Sequence, residues 1–167
     1  MPTKYAEDAV YFYRQDSFLS NHHPAPFVVK ERHFSCVEQF YMYSKAVIFN
    51  DQVMADAILN TNDPAKIMQL NALMKTHDYA DWSVERRYKI MVAGTYAKYF
   101  QNPNLLRQLL ETGDRVILES SPNKVWGIGV DINSQFLQNR KYWNGDNLLG
   151  KAIMDVRGLL GGEGIVN

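Results

Sequence analysis

Repeated helix-start signals between residues 35 and 103 constrain this chain more than any other feature. Ser35 stands ahead of Cys36–Ala46 with Glu38 three residues on, the spacing of a capping box. Asp51 offers a cap for a helix to about Leu59. Asn62–Asp63–Pro64 joins a cap to proline at the first helical position and opens a helix to about Lys75, with Ile67, Leu70, Leu73 and Met74 inward. Ser83 precedes a helix over about 84–100 whose buried side is expected to carry Val84, Tyr88, Met91 and Tyr99. Asn102–Pro103 repeats the cap-plus-proline signal before a stripe of Leu105, Leu106, Leu109 and Leu110. A last helix is expected from about Leu148 to Leu160.

Strand signals flank this helical run. Val10–Tyr13 and Phe27–Lys30 are β-branched and aromatic, and a turn at Glu31–Arg32 leads to His33–Phe34. These three pieces are expected to form a small antiparallel sheet, after a loose stretch over residues 1–8. Asp16–Pro26, with two prolines and adjacent histidines, reads as a loop, as does His77–Trp82. Arg115–Glu119 is the strongest strand signal of the C-terminal half. The fold class is therefore α+β: a mainly helical single domain over residues 1–167, with its core over about 10–160 and a small antiparallel sheet.

Composition narrows the function. The chain of 167 residues balances 18 basic against 18 acidic side chains, so nothing resembles a polyanion-binding tail. One cysteine, Cys36, excludes an internal disulfide and a multi-cysteine zinc site. Its first-turn position gives no sequence hint of a catalytic partner, and the four histidines lack i, i+4 ligand spacing. No metal site and no cofactor are expected. The first residues lack a signal-peptide apolar region, and no apolar run approaches the ~20 residues that span a bilayer. A cytoplasmic protein is expected, with no membrane partner.

Common catalytic patterns (GxSxG, the P-loop, GxGxxG, HExxH) are absent. What stands out is one face of the first long helix. Glu38, Tyr41, Met42 and Lys45 fall at i, i+3, i+4 and i+7, an acid and an amine two turns apart with an aromatic between them. Two readings are open: Glu38 caps the helix while Lys45 snorkels to water, or the pair does chemistry. Polar residues beside aromatics also gather at loop-to-helix junctions: Ser20–Asn21, Trp82, Glu119–Ser120, Trp126–Gly127 and Asp146–Asn147. Each has a structural alternative as cap, core residue or solvated strand end.

The order of these pieces resembles the NADAR family, named for NAD and ADP-ribose. Phe18–Leu19–Ser20–Asn21 with Pro26–Phe27, then Val37–Glu38–Gln39–Phe40–Tyr41 with Lys45–Ala46, are similar to its opening motifs. Asp81–Trp82, Arg86 and Met91, then Lys98–Tyr99, Leu109–Leu110 and Thr112–Gly113, follow in the family's order. So do Glu119, Ser121–Pro122, Trp126–Gly127–Ile128–Gly129, and Gly145–Gly150 with Met154 and Arg157. The chain departs from the pattern at Leu19 and Cys36, where serine is frequent. It also departs at Gln39 for histidine, Met42 for glutamine and Asn123 for aspartate.

The resemblance implies an N-glycosidase, or an activity that processes ADP-ribose. The substrate is a phosphorylated ribosyl compound, either a riboflavin-pathway intermediate or ADP-ribosylated guanine. The partner is thus a small nucleotide-like molecule or an ADP-ribosylated nucleic acid. A non-catalytic module that binds NAD or ADP-ribose is the alternative. Breaking a C–N glycosidic bond builds positive charge at C1′, which a carboxylate stabilises. Glu38 is the first candidate carboxylate and Glu119 the second. Lys45 either holds phosphate or ribose as a cation or attacks C1′ of an opened sugar as an amine; Glu38 on the same face favours the cation. Candidate substrate-binding residues are Ser20, Asn21, Tyr41, Trp82, Arg86, Ser120, Asn123, Trp126, Gly127 and Asn147. The tryptophans are suited to stacking on the leaving base and Arg86 to gripping phosphate.

Overall fold

A computed structural model describes residues 2–74 and 81–162. In chain order the described elements are β1 (Thr3–Tyr5), β2 (Ala9–Phe12), β3 (Phe27–Val29), β4 (Arg32–Phe34) and α1 (Val37–Ile48). Then come α2 (Gln52–Leu59), α3 (Pro64–Leu73), α4 (Val84–Gln101), α5 (Pro103–Glu111), β5 (Val116–Glu119), a 3₁₀ turn (Arg140–Tyr142) and α6 (Leu148–Gly162). The class is α+β, as expected. Contacts separate the chain into two units, Met1–His23 with Pro103–Asn167, and Pro24–Asn102.

The first unit is organised by β2, whose four residues Ala9–Phe12 are all buried. A strand buried on both faces needs apolar neighbours, and Val116–Ile117–Leu118 supplies one. β2 therefore pairs in parallel with β5, Ala9 opposite Val116 and Phe12 opposite Glu119. β1 adds antiparallel on the other edge, Thr3 opposite Phe12. This corrects the expectation that the first strand joins the two that follow it, and that residues 1–8 are loose throughout. Leu149, Ala152, Ile153, Val156 and Leu160 of α6 are buried at helical spacing, and α6 packs on β5. Beside the sheet, Ala9, Tyr11 and Leu118 pack with Ile128, Val130, Ile132 and Leu137 of the long loop. The Trp143 indole packs edge-on to Tyr11 and donates to the Leu137 carbonyl at 2.8 Å.

The second unit is a β-hairpin and a helical layer. β3 and β4 pair antiparallel, Phe27 opposite Phe34. The turn residues Lys30 and Glu31 have φ of 47° and 65°. Asp51, Asp63 and Ser83 cap α2, α3 and α4 as expected, accepting from Met54, Ala65 and Arg86 amides.

Ser35 does not cap α1. The N-cap is Cys36, which makes no side-chain cap bond, and Ser35 instead gives its amide and hydroxyl to Gln39 Oε1 at 2.7 and 3.0 Å. The Gln39 amide nitrogen reaches the Ile58 and Thr61 carbonyls at 2.9 and 2.7 Å, tying α1 to the end of α2.

The buried side of α4 also differs from the expected one. Val84 is half exposed and Tyr88 only partly buried, whereas Met91, Gly94, Thr95, Lys98 and Tyr99 are buried. Gly94 sets that orientation: a Cβ there would meet Phe40 Cδ1 at 2.7 Å, so α4 approaches α1 through the missing side chain. Leu73 is exposed, while Ile67 and Met74 are buried and Leu70 partly so. The expected end of α3 at Lys75 and most of the 77–82 loop lie outside the described residues.

Candidate active site

The mixed face of α1 gathers a polar cluster inside the second unit. Glu38 is buried, and burial pushes its carboxyl up to about 7 against the opposing pull of Lys45. Tyr41, one turn on, takes a hydrogen bond from the Arg87 guanidinium; burial raises its phenol pKa. The Lys45 ammonium donates to Asn71 Oδ1 at 2.8 Å and stands 5.8 Å from the centre of the Trp82 ring. Trp82 in turn packs against Tyr41 at 5.4 Å and Phe49 at 6.0 Å.

The Lys45 pKa is lowered, first by burial and then by Arg87, and Glu38 only partly offsets them. The pull toward a charged ammonium read from the sequence is thus outweighed. Two neighbours that sequence reasoning missed complete the cluster, Asn71 and Arg87. Each carries a signal in its helical phase. Asn71 lies four residues after the buried Ile67, and Arg87 four before Met91 and seven before Gly94. Nε of Arg87 is buried with no hydrogen-bond partner among the described residues. Arg86, one position before, faces elsewhere: its guanidinium donates to the Asp81 carbonyl at 3.2 Å, and it is half exposed.

Lys98 continues the Arg87–Met91–Gly94 stripe and is fully buried. Burial lowers its pKa to about 7, and its ammonium lies 4.9 Å from the Tyr99 ring centre. Cys36 is buried too, and burial raises its thiol pKa, an inert setting rather than a nucleophile's.

The remaining candidates belong to the first unit, most of them around the end of β5. Asn147 Oδ1 accepts from the Glu119 amide at 3.0 Å and its Nδ2 donates to the Ile117 carbonyl at 2.9 Å. The Asn147 side chain thus acts as a neighbouring strand for β5. Asn123 Oδ1 accepts the Val125 and Trp126 amides, both at 2.9 Å, and folds the turn ahead of the half-buried Trp126. Ser120 is fully buried and donates to the Leu118 carbonyl at 3.2 Å. Gly127 is held where a Cβ would lie 2.5 Å from Ser121 Oγ and 2.9 Å from the Glu119 carbonyl. Ser20 Oγ takes the His22 amide at 3.1 Å, and Asn21 beside it is partly exposed. Glu38, Tyr41, Lys45 and Trp82 are therefore gathered in one unit, and Glu119, Ser120, Asn123, Trp126, Gly127 and Asn147 in the other. Among the described residues no group of three or more His, Cys, Asp or Glu side chains is placed to hold a metal, and no helix is long and apolar enough to cross a membrane.

The model of the NADAR domain matches residues 11–161. The chain belongs to the NADAR family. Among its relatives is a protein named N-glycosidase from Acanthamoeba polyphaga mimivirus, 35% identical over 121 residues, 72% of this chain and 71% of that protein. A protein named riboflavin biosynthesis protein from Vibrio vulnificus is 30% identical over 155 residues, 90% of this chain but 38% of the other. The E. coli protein YbiA, solved by NMR, shares the fold with a TM-score of 0.76 at 21% identity, covering 98% of this NADAR chain and 91% of its own.

Proposed function

We propose that this NADAR domain is an N-glycosidase that hydrolyses the C1′–N bond of a phosphorylated ribosyl substrate, with Glu38 as the essential carboxylate. The observation that carries the reading is the buried Glu38 on one α1 face with Tyr41 and Lys45, backed by Trp82 and Arg87. The names of the two relatives agree with it: one N-glycosidase, one riboflavin biosynthesis protein. A riboflavin-pathway intermediate is therefore the favoured substrate, and ADP-ribosylated guanine the other class to test.

As the C1′–N bond breaks, its electron pair leaves with the base nitrogen, which takes up a proton. The positive charge left on the ribose is stabilised by the Glu38 carboxylate, worth more in a buried site than in water. Water then adds to C1′ and gives its proton to Glu38, whose pKa of about 7 suits a base working near neutrality. The Trp82 ring supplies an apolar face for the substrate. Arg87, whose Nε has no hydrogen-bond partner among the described residues, is the better placed fork for phosphate than Arg86.

A second reading for Lys45 is favoured by its lowered pKa. In neutral form the amine can add to C1′ of the ring-opened substrate, displace the base by imine exchange, and be freed by hydrolysis of the new imine. Borohydride during turnover separates the two: a protein–sugar adduct that disappears in Lys45→Arg supports the imine, and full turnover with no adduct assigns Lys45 to charge alone. The reaction itself is tested by mass spectrometry of products from the ribosylated aminopyrimidine phosphate and from an oligonucleotide bearing ADP-ribose on guanine. Ribose phosphate release from the first is the expected result. Release of ADP-ribose from the second alone moves the substrate assignment, and no release from either overturns the glycosidase reading.

A further inference from the structure

Helix α1 has a second functional-looking face. Phe40, Tyr43, Ser44 and Val47 follow one another at i, i+3, i+4 and i+7, on the side opposite Glu38, Tyr41, Met42 and Lys45. They line a cavity of about 490 Å³ together with Val29, Lys30, Arg32 and Phe34 of the hairpin, Ile48, and Arg86 and Ile90 of α4. That volume lies within the roughly 300–1,000 Å³ of small-molecule sites.

The chemistry of the walls is one-sided. Phe34 packs edge-on to Phe40 at 5.2 Å and to Tyr43 at 5.5 Å, forming an aromatic wall. Three cations, Lys30, Arg32 and Arg86, share the lining, and among the described residues no acidic one does, in a chain whose charges balance overall. Arg32 lies over the Tyr43 ring at 5.7 Å, and Arg86 has the exposed Asp81 at 4.0 Å as an ionic partner. Glu31, between the two hairpin cations, is exposed and absent from the lining.

The hairpin turn supports the same conclusion. Its two central residues are left-handed, a conformation that Asn–Gly adopts freely and Lys–Glu does not. The strained turn keeps Lys30 in the lining and Arg32 in register opposite Val29, both in the same lining as the aromatic wall.

We propose that this groove binds a small phosphorylated aromatic molecule, its flat ring against Phe34, Phe40 and Tyr43 and its phosphate on Lys30 and Arg32. The site is distinct from the Glu38 face and does not depend on the reaction assigned there. The test is calorimetric titration of the whole protein with 1-naphthyl phosphate, with 1-naphthol and inorganic phosphate as separate arms. Saturable one-to-one binding of naphthyl phosphate is expected, weakened about tenfold or more by Arg32→Glu and by Lys30→Glu, the loss of a charge-assisted bond each. Glu38→Gln is expected to bind it as tightly as the unaltered protein. Circular dichroism and melting temperature confirm that the variants fold. Equal binding by both charge-reversal variants, loss of binding in Glu38→Gln, or 1-naphthol binding as tightly as its phosphate would each overturn the proposal.

Discussion

Glu38 and Asn147 are equally buried, yet the polar residues around each bond in different ways. Around Glu38 side chains meet side chains: Lys45 on Asn71, Arg87 on Tyr41, and the Lys45 ammonium beside Trp82. Around Asn147 the side chains of Asn147, Asn123 and Ser120 bond to the main chain and fix the course of β5 and the loop after it. The first arrangement holds ionisable groups at shifted pKa inside a low-dielectric setting, where protons and ligand charges matter most. The second spends its polar atoms on backbone geometry. Polarity and burial alone do not distinguish the two; the bonding partner does.

Substitutions can break this comparison or sharpen it. The largest effect is expected from Glu38→Gln, which keeps shape and removes the ionisable carboxyl. Turnover falls by about 10²–10⁴-fold, the usual worth of a positioned acid or base, with a native circular dichroism spectrum. Undiminished turnover would place the chemistry elsewhere. Asn147→Ala should act through stability instead. It leaves two buried main-chain groups without their bonds and costs about 2–4 kcal/mol in urea unfolding. If its folded fraction lost turnover as severely as Glu38→Gln, the contrast between the two regions would collapse. Arg87→Met is expected to raise KM about tenfold and leave kcat nearly intact, as removal of a phosphate contact does.

The pH dependence sharpens the comparison further. A Glu38 carboxylate that activates water gives activity rising with pH through about 7. For stability, the folded Glu38 keeps its proton between its ordinary 4.5 and about 7 while the unfolded chain has lost it, so stability falls as pH rises across that window. Lys98 works the other way. Between about 7 and 10.5 the unfolded chain binds the extra proton, so stability rises with pH there. Melting temperature against pH should therefore pass through a minimum near neutrality, with the acid limb flattened in Glu38→Gln and the alkaline limb flattened in Lys98→Met. The smallest effect is expected at Asn123→Ala, about 1 kcal/mol for a turn whose amides can turn to water.

The sequence by itself determined the helix starts, the α+β class and the mixed face of α1, because caps, proline positions and 3.6-residue periodicity are local. Asp51, Asp63 and Ser83 cap where their spacing says. Tertiary structure decided what depends on residues distant in the chain. The parallel partner of β2 lies more than a hundred residues away in β5, whose own apolar run lets the two strands be buried together in one sheet. The buried side of α4 was set by where Gly94 lets Phe40 approach, which turned Arg87 inward and left Arg86 outside. Ser35 lost its capping role by giving its amide and hydroxyl to Gln39. Whether a polar side chain is spent on the backbone or kept for another side chain is a matter of which groups arrive beside it, and only folding brings them there.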